Sequence, residues 1–240
     1  MLQMKSAWSL GVLFLALLVN LVLVAPLLAT TFTYDFSGPN VVVPSGTTFT
    51  SNAVTITAYG FQGVVPTSAS DNTATQVNLF EKSSGVGETG LGISGVVTGD
   101  GANEIVTNAV GTPLAGTYYV QLDLSNLIAV GANPFVTVTE SVQAEESYQF
   151  WKSDTLGVLG TAIGPNGPCP VNSTCTDSFT LSSSTPFLSL TAPLAAGGKD
   201  VLLSSLTATS PNVPEPSSLL LLGSGIAGLG IWRSRRNKNR

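Results

Sequence analysis

The sequence predicts an all-β protein, with an antiparallel β-sandwich or jelly roll of about eight to ten strands. Only 10% of the residues are charged, and Gly, Ser, Thr, Val and Ala abound, a composition that suits short strands and tight turns. Short stretches alternate apolar and polar residues, as at Phe32, Tyr34 and Phe36, which places the apolar side chains on one face of a strand. Clusters such as Gly38-Pro39-Asn40 interrupt these stretches and favour turns.

Alternating stretches recur along most of the chain. They lie near residues 54–58, 76–82, 118–124, 135–139, 148–151, 179–181, 188–190 and 201–203. A glycine-rich stretch, 83–101, predicts a kinked strand that runs close to neighbouring backbone. Residues 204–212 are polar and are predicted to form a spacer, so the β domain is expected to span residues 30–203.

The first 29 residues indicate an export signal with a helical, apolar core. Lys5 precedes an uncharged run at 6–25, and Ala29 offers a small residue for cleavage, although Leu27 is larger than cleavage sites prefer. The run is also long enough to stay in the bilayer as an anchor. We expect a cleaved signal peptide at 1–29, and either outcome places the following domain outside the cytoplasmic membrane.

The predicted domain is strongly acidic. Between Thr30 and Pro214 the chain has three lysines and thirteen carboxylates, a net charge of −10. Nucleic-acid binding depends on Lys and Arg that neutralise phosphates, so this class of partner is not expected. The charge suits cations or neutral polymers such as polysaccharides as partners, or it serves solubility alone.

The chain contains no histidine. This absence excludes catalytic arrangements of the Ser-His-Asp and Cys-His types and every zinc site that uses imidazole. Nothing else in the sequence indicates a cofactor, so none is predicted.

The two cysteines, Cys169 and Cys175, lie in a Pro-rich turn with five residues between them. A redox pair would favour the C-x-x-C spacing, which is not present here. In an exported chain, a close and even pair of cysteines predicts a disulfide that closes a small loop.

The C-terminal segment, 213–240, has three parts in a fixed order. Pro214, Glu215 and Pro216 come first, then an uncharged run at 217–232 predicted to form a membrane helix, and then a basic tail. The arginines at the start of that tail would stop transfer through the bilayer, because cationic segments stay on the cytoplasmic side. They are Arg233, Arg235 and Arg236.

This segment resembles the PEP-CTERM sorting signal of exported bacterial proteins. The resemblance implies that an exosortase-type membrane enzyme recognises the P-E-P motif and processes the chain there. It also implies a precursor in the cytoplasmic membrane and a mature protein at the cell surface or in the extracellular space, in a setting rich in exopolysaccharide and typical of biofilms.

A second and looser resemblance to exported PEP-CTERM proteins lies inside the domain. It consists of G-L-G at 90–92, N-E-I at 103–105 and the alternating strand that follows. Asn103 would hold a turn through its side chain, with Glu104 capping backbone N–H groups. The alternatives are calcium coordination by Asp100, Asn103 and Glu104, or contact with a sugar. An EF-hand is excluded, because Ala102 stands where that loop needs Asp or Asn.

Three function classes stay open: a non-enzymatic surface or matrix protein, a carbohydrate-active enzyme with two carboxylates, and a purely structural matrix subunit. Aromatic side chains would stack on sugar rings if they face outward, or would fill the core otherwise. The candidates are Trp151, Tyr118, Tyr119 and Tyr148. Glu145 and Glu146 are adjacent and would point to opposite faces of an extended segment, so they form no catalytic pair. We therefore predict a non-enzymatic protein.

Overall fold

The computed structural model describes residues 30–63, 74–83, 89–96, 102–105, 117–131, 135–142, 147–168, 173–192, 201–209 and 223–225. Thr30–Pro211 forms one compact unit. The predicted signal peptide and all but three residues of the predicted membrane segment lie outside the described residues, so the two terminal helices stay predictions. In the described part of the chain, no helix has both the length and the apolar character needed to cross a bilayer.

Strands dominate the described residues. They are β1 (Thr31–Asp35), β2 (Val41–Val43), β3 (Thr47–Ser51), β4 (Val54–Gly63), β5 (Thr75–Val77), β6 (Leu79–Ser83), β7 (Thr89–Ile93), β8 (Thr117–Asp123), β9 (Phe135–Val142), β10 (Ser147–Ser153), β11 (Thr161–Pro168), β12 (Ser173–Thr180), β13 (Phe187–Thr191) and β14 (Val201–Thr209). One short helix, α1 (Ser125–Ala129), follows β8 and was not expected from the sequence.

The strands form two antiparallel sheets. Sheet A has the order β12-β9-β14-β7-β6-β2, with β1 also paired to β14. Sheet B has the order β11-β10-β13-β8-β4-β3, with β5 also paired to β4. The prediction of an all-β antiparallel fold is confirmed, although the fourteen described strands outnumber the eight to ten that the sequence suggested.

Alternating side chains from both sheets share one core. On β1 the pattern is regular: Phe32 and Tyr34 are buried while Thr31, Thr33 and Asp35 are exposed. Sheet B contributes apolar residues of β4, β8, β10 and β13 to the same cluster, and sheet A contributes those of β7 and β14. The two sheets therefore pack face to face as a sandwich, because each sheet has one apolar face to bury.

Sheet B also carries a smaller apolar cluster outside this core. Phe61, Tyr119 and Leu159 are buried together, and Tyr59 and Trp151 pack against them. Phe61 and Tyr119 are cross-strand partners on β4 and β8. Their rings stack with centroids 5.2 Å apart. The outer face of sheet B is therefore partly covered rather than fully solvated.

The predicted spacer at 204–212 is wrong for its first six residues. They belong to β14, where Leu206 and Ala208 are fully buried. The domain therefore extends through Thr209 rather than ending at residue 203. Within these six residues Ser and Thr are interrupted by only two apolar side chains, so the composition resembles a polar linker. Threonine nevertheless favours strands.

Candidate functional site

The G-L-G motif lies on β7 and places two glycines on the outer face of sheet A. Leu91 and Ile93 are fully buried in the core. Side chains alternate along a strand, so Gly90 and Gly92 face the opposite way. Gly90 pairs with Lys82 on β6. The Lys82 side chain therefore has room to lie flat against the sheet.

The N-E-I segment occupies the space that Gly92 leaves open. A Cβ atom on Gly92 would overlap the carbonyl oxygen of Asn103 and approach the side chain of Leu202. Ile105 forms an antiparallel bridge with Val201, the first residue of β14. The predicted close approach of backbone at the glycine-rich stretch is thus present, and only Gly fits at residue 92.

Asn103 closes the turn that precedes the N-E-I segment. Its φ of +67° lies in the left-handed region, which Asn tolerates better than most residues. Its backbone N–H donates to the carbonyl oxygen of Val96 at 2.7 Å, and its Oδ1 accepts from the N–H of Gly95 at 2.8 Å. Asn103 therefore has the turn-holding role expected from the sequence.

Glu104 forms an ion pair with Lys82. The Glu104 carboxylate accepts a hydrogen bond from the Lys82 ammonium, and both residues are buried, with 4% and 7% of their surfaces exposed. The capping of backbone N–H groups by Glu104 stays a prediction, and the pair with Lys82 of β6 is a contact that the sequence did not predict. Buried charges need such partners, because an isolated ion in the protein interior is costly.

The calcium hypothesis for Asp100, Asn103 and Glu104 finds both described candidates already engaged. Asn103 Oδ1 accepts a backbone N–H, and the Glu104 carboxylate pairs with an ammonium. Asp100 lies outside the described residues, so the hypothesis stays untested. In the part of the chain that the structure describes, no three acidic, cysteine or histidine side chains are grouped as a metal site.

Two of the four aromatic candidates for sugar stacking face the core. Tyr118 and Tyr148 are 5% and 6% exposed and belong to the main cluster, so neither can stack on an external ligand. Tyr119 faces outward but is only 2% exposed, and its hydroxyl donates to the carbonyl oxygen of Gly157 at 2.6 Å. Burial raises the pKa of Tyr119 above its ordinary value. Trp151 is the candidate that stays partly exposed.

Trp151 has a fixed orientation on β10. Its indole Nε1 donates to Thr191 Oγ1 at 2.9 Å. Its partner on the neighbouring strand β11 is Ala162, which is exposed and small. The side of the indole next to β11 is therefore not covered by a large cross-strand neighbour.

Gln121 pins the segment between β10 and β11 onto sheet B. Its Nε2 donates to the carbonyl oxygen of Val158 at 2.9 Å and to Ser189 Oγ at 3.0 Å. Its Oε1 accepts from the Gly157 N–H at 2.7 Å. Sequence reasoning missed this fully buried glutamine. Its position between apolar residues of β8 is the signal that could have revealed it.

Three other carboxylates, Asp35, Asp123 and Asp154, hold local turns. Asp35 accepts from the N–H and hydroxyl of Ser37, and Asp123 accepts from the Ser125 N–H. Asp154 accepts from the Thr155 hydroxyl. On β6, burial raises the pKa of the Glu81 carboxyl. These contacts are typical of turn residues rather than of a pair of catalytic acids.

The described residues include no free cysteine. Cys169 lies outside the described residues, as do Glu145 and Glu146. The Cys169–Cys175 pairing therefore stays a prediction.

The described part of the C-terminal segment is a helical stretch at 223–225. The sorting residues Pro214, Glu215 and Pro216 and the tail arginines lie outside the described residues. The segment is therefore identified by its sequence.

Comparison with protein families matches residues 212–236 to the PEP-CTERM protein-sorting motif. No curated protein matches the chain. Among solved structures, the K1 cleaved adhesin domain of Lys-gingipain from Porphyromonas gingivalis W83 is similar over 75% of this chain and 97% of that chain, with 12% identity and a TM-score of 0.31. These two values are too low to transfer any property of the adhesin domain.

The chain is thus an antiparallel β-sandwich protein that ends in a sorting signal. That signal is a PEP-CTERM motif, as the sequence predicted. The motif implies an exported protein that reaches the cell surface through a membrane-anchored precursor and is sorted by an exosortase, a membrane enzyme.

Proposed function

We propose that the protein is a non-enzymatic component of the cell surface or extracellular matrix, and that its sandwich associates with exopolysaccharide. The observation behind this proposal is the position of the sorting motif directly after the last strand of the domain. The sandwich is therefore the cargo that the signal delivers. Its net charge of −10 disfavours anionic partners and suits a neutral polymer.

Trp151 is the residue that best supports contact with a sugar. Its indole is half-exposed and held by Thr191, and it lies beside the small residue Ala162. A rigid aromatic face binds the apolar face of a sugar ring at low entropic cost, since few rotatable bonds need to be fixed. The segment between β10 and β11 is itself held to sheet B by the hydrogen bonds of Gln121, which adds further rigidity.

The positions of the acidic side chains support a non-enzymatic role. Glu104 is neutralised by Lys82, and Asp35 and Asp123 hold turns. A glycosidase would need two carboxylates about 5 to 10 Å apart across one groove. Hydrolysis by a carboxylate pair is kept as the alternative that the experiment below also tests.

The test measures binding of the exported protein, recovered from culture medium or the cell surface, to a glycan array and to the exopolysaccharide of the producing cells, with and without calcium. Trp151→Ala should weaken binding roughly three- to ten-fold, the range for a lost aromatic contact of about 0.5–1.5 kcal/mol. Leu156→Ser is the matched control, since Leu156 is an exposed apolar residue in the segment that follows β10 and should not matter.

Equal binding by the Trp151→Ala variant and the parent would contradict the sugar contact. New reducing ends released from a bound polysaccharide would favour the enzyme alternative. Loss of binding only when calcium is removed would revive the calcium hypothesis at Asp100, Asn103 and Glu104.

A further inference from the structure

Both ends of the exported domain leave the sandwich at the same place. β1 begins at Thr31 and β14 ends at Thr209, and these two residues are antiparallel partners. The turn between β3 and β4 holds this end in place, because Asn52 Nδ2 donates to the Thr31 carbonyl oxygen at 2.8 Å. Asn52 and Ala53 both have positive φ, as the tight hairpin turn requires.

Only four residues, 210–213, connect Thr209 to the P-E-P motif. An extended chain rises at most 3.3 to 3.6 Å per residue, so Pro214 lies within about 18 Å of Thr209. Any enzyme that binds the motif must bring its surface about this close to the end of the sandwich.

The last residues of β14 cannot easily detach from the sheet to lengthen this connection. Leu206 and Ala208 are fully buried. Thr207 pairs with Thr33 of β1 on one side and with Thr137 of β9 on the other. Releasing these residues would expose apolar side chains and break hydrogen bonds on both edges of the strand.

We propose that the end of the sandwich where the chain termini meet, here called the terminal rim, docks against the extracytoplasmic surface of the sorting enzyme while the motif is bound. The rim consists of five exposed residues at this end of β1, the β3–β4 turn, β12 and β14: Thr31, Thr33, Asn52, Thr180 and Thr209. This inference rests on the sorting role of the motif and adds the surface that the enzyme contacts.

The composition of the rim suits such a contact. All five residues are uncharged in a domain with a net charge of −10. Hydroxyl and amide side chains lose less on close approach to a protein surface than carboxylates, which must give up their hydration. An added charge on the rim should therefore interfere with docking.

The experiment follows trimming of the full-length precursor in the producing cells, by pulse labelling and mass spectrometry. Thr209→Glu and Thr180→Glu place a carboxylate on the rim. Thr174→Glu is the matched control, because Thr174 is also an exposed threonine on β12. Its cross-strand partner on β9 is Ser141, which pairs in turn with Leu202 at the opposite end of β14. We expect the two rim variants to be trimmed about five-fold more slowly, equivalent to about 1 kcal/mol, and the control at the normal rate.

Each variant is repeated with a Gly-Ser insert of about twelve residues between Pro211 and Asn212, which lets the motif reach the enzyme without the rim. The insert should restore normal trimming of the rim variants. A folding defect would not be restored in this way, so the insert separates docking from misfolding.

Trimming of both rim variants at the normal rate, in cells that process the parent, would overturn the docking inference alone. Equal slowing with and without the insert would also overturn it. A parent chain that keeps its tail would overturn the sorting role itself, and the docking inference with it.

Discussion

The buried ion pair between Lys82 and Glu104 offers a quantitative test of the packing at the N-E-I motif. Glu104→Gln would leave the Lys82 ammonium 7% exposed and without its carboxylate. Removing one partner of a buried pair costs about 3–5 kcal/mol, because the remaining charge stays in a poorly solvated site. A domain of this size loses about 2–4 °C in Tm per kcal/mol, so we expect a drop of roughly 6–20 °C.

Replacing both charges should cost much less than replacing one. In Lys82→Met with Glu104→Leu, apolar side chains fill the same space and no unpaired charge remains, so stability should lie within about 1 kcal/mol of the parent. The control is Glu81→Gln on the same strand. Burial raises the pKa of Glu81, so its ionised form is disfavoured in the fold, and neutralising it should leave stability unchanged or slightly higher.

Denaturant unfolding of the exported protein measures these differences, with an unchanged m value as the sign that only native stability has changed. The reasoning is refuted if Glu104→Gln loses less than about 1 kcal/mol. It is equally refuted if the double variant is as unstable as the sum of Lys82→Met alone and Glu104→Leu alone, since additivity would mean that the charges do not interact.

Four further outcomes are expected. Gly92→Ala should cost at least about 2 kcal/mol in unfolding free energy, because its methyl group would overlap backbone atoms. A methyl group at Gly63 would make only ordinary van der Waals contacts, so Gly63→Ala should stay within about 1 kcal/mol. Burial raises the pKa of Tyr34 to about 12. The stability that its neutral, buried form contributes to the fold is therefore complete below the ordinary tyrosine pKa near 10 and is lost as the pH rises from 10 through 12. Unfolding free energies measured over a pH series, with Tyr34→Phe as control, check this. Thiol labelling without reductant should modify neither cysteine, and labelling of both would contradict the disulfide. Glu215→Ala should leave export intact but stop C-terminal trimming, and normal trimming by mass spectrometry would show that the motif acts only as a chain break.

The elements that sequence reasoning found are those with a strong local pattern. Phe32 and Tyr34 alternate with threonines, and the fold buries them as expected, because a strand has a period of two. The P-E-P motif, its uncharged run and its arginines were likewise identifiable, because their order is local. The close approach of backbone at Gly92 also followed from composition, since glycine in a strand interior often marks such contacts.

The misses at Lys82, Gln121 and the paired tyrosines depend on contacts between distant parts of the chain. Lys82 and Glu104 come together only because β6 and β7 pair and the segment after β7 folds back over them. Gln121 meets Gly157 across 36 positions of sequence. Tyr118 faces the core and Tyr119 faces outward, and alternation alone cannot decide which of two adjacent aromatics is inside. Register and topology make these choices, and no short window of sequence contains them.

β14 links the fold of the domain to the timing of its sorting. One edge of this strand pairs with β9, and the other pairs with β7 and β1, so among the described strands β14 is the one that joins the two halves of sheet A. The partner of the last residue, Thr209, is Thr31 at the other end of the domain, and contacts of such long separation form late in folding. Sheet A can therefore close only after residues 201–209 have crossed the membrane, which is also when the motif four residues further on reaches the outside. A sorting signal that holds the precursor at the bilayer keeps the chain in place during this last step. The enzyme then acts on a precursor in which the last described strand of the domain has only just been translocated.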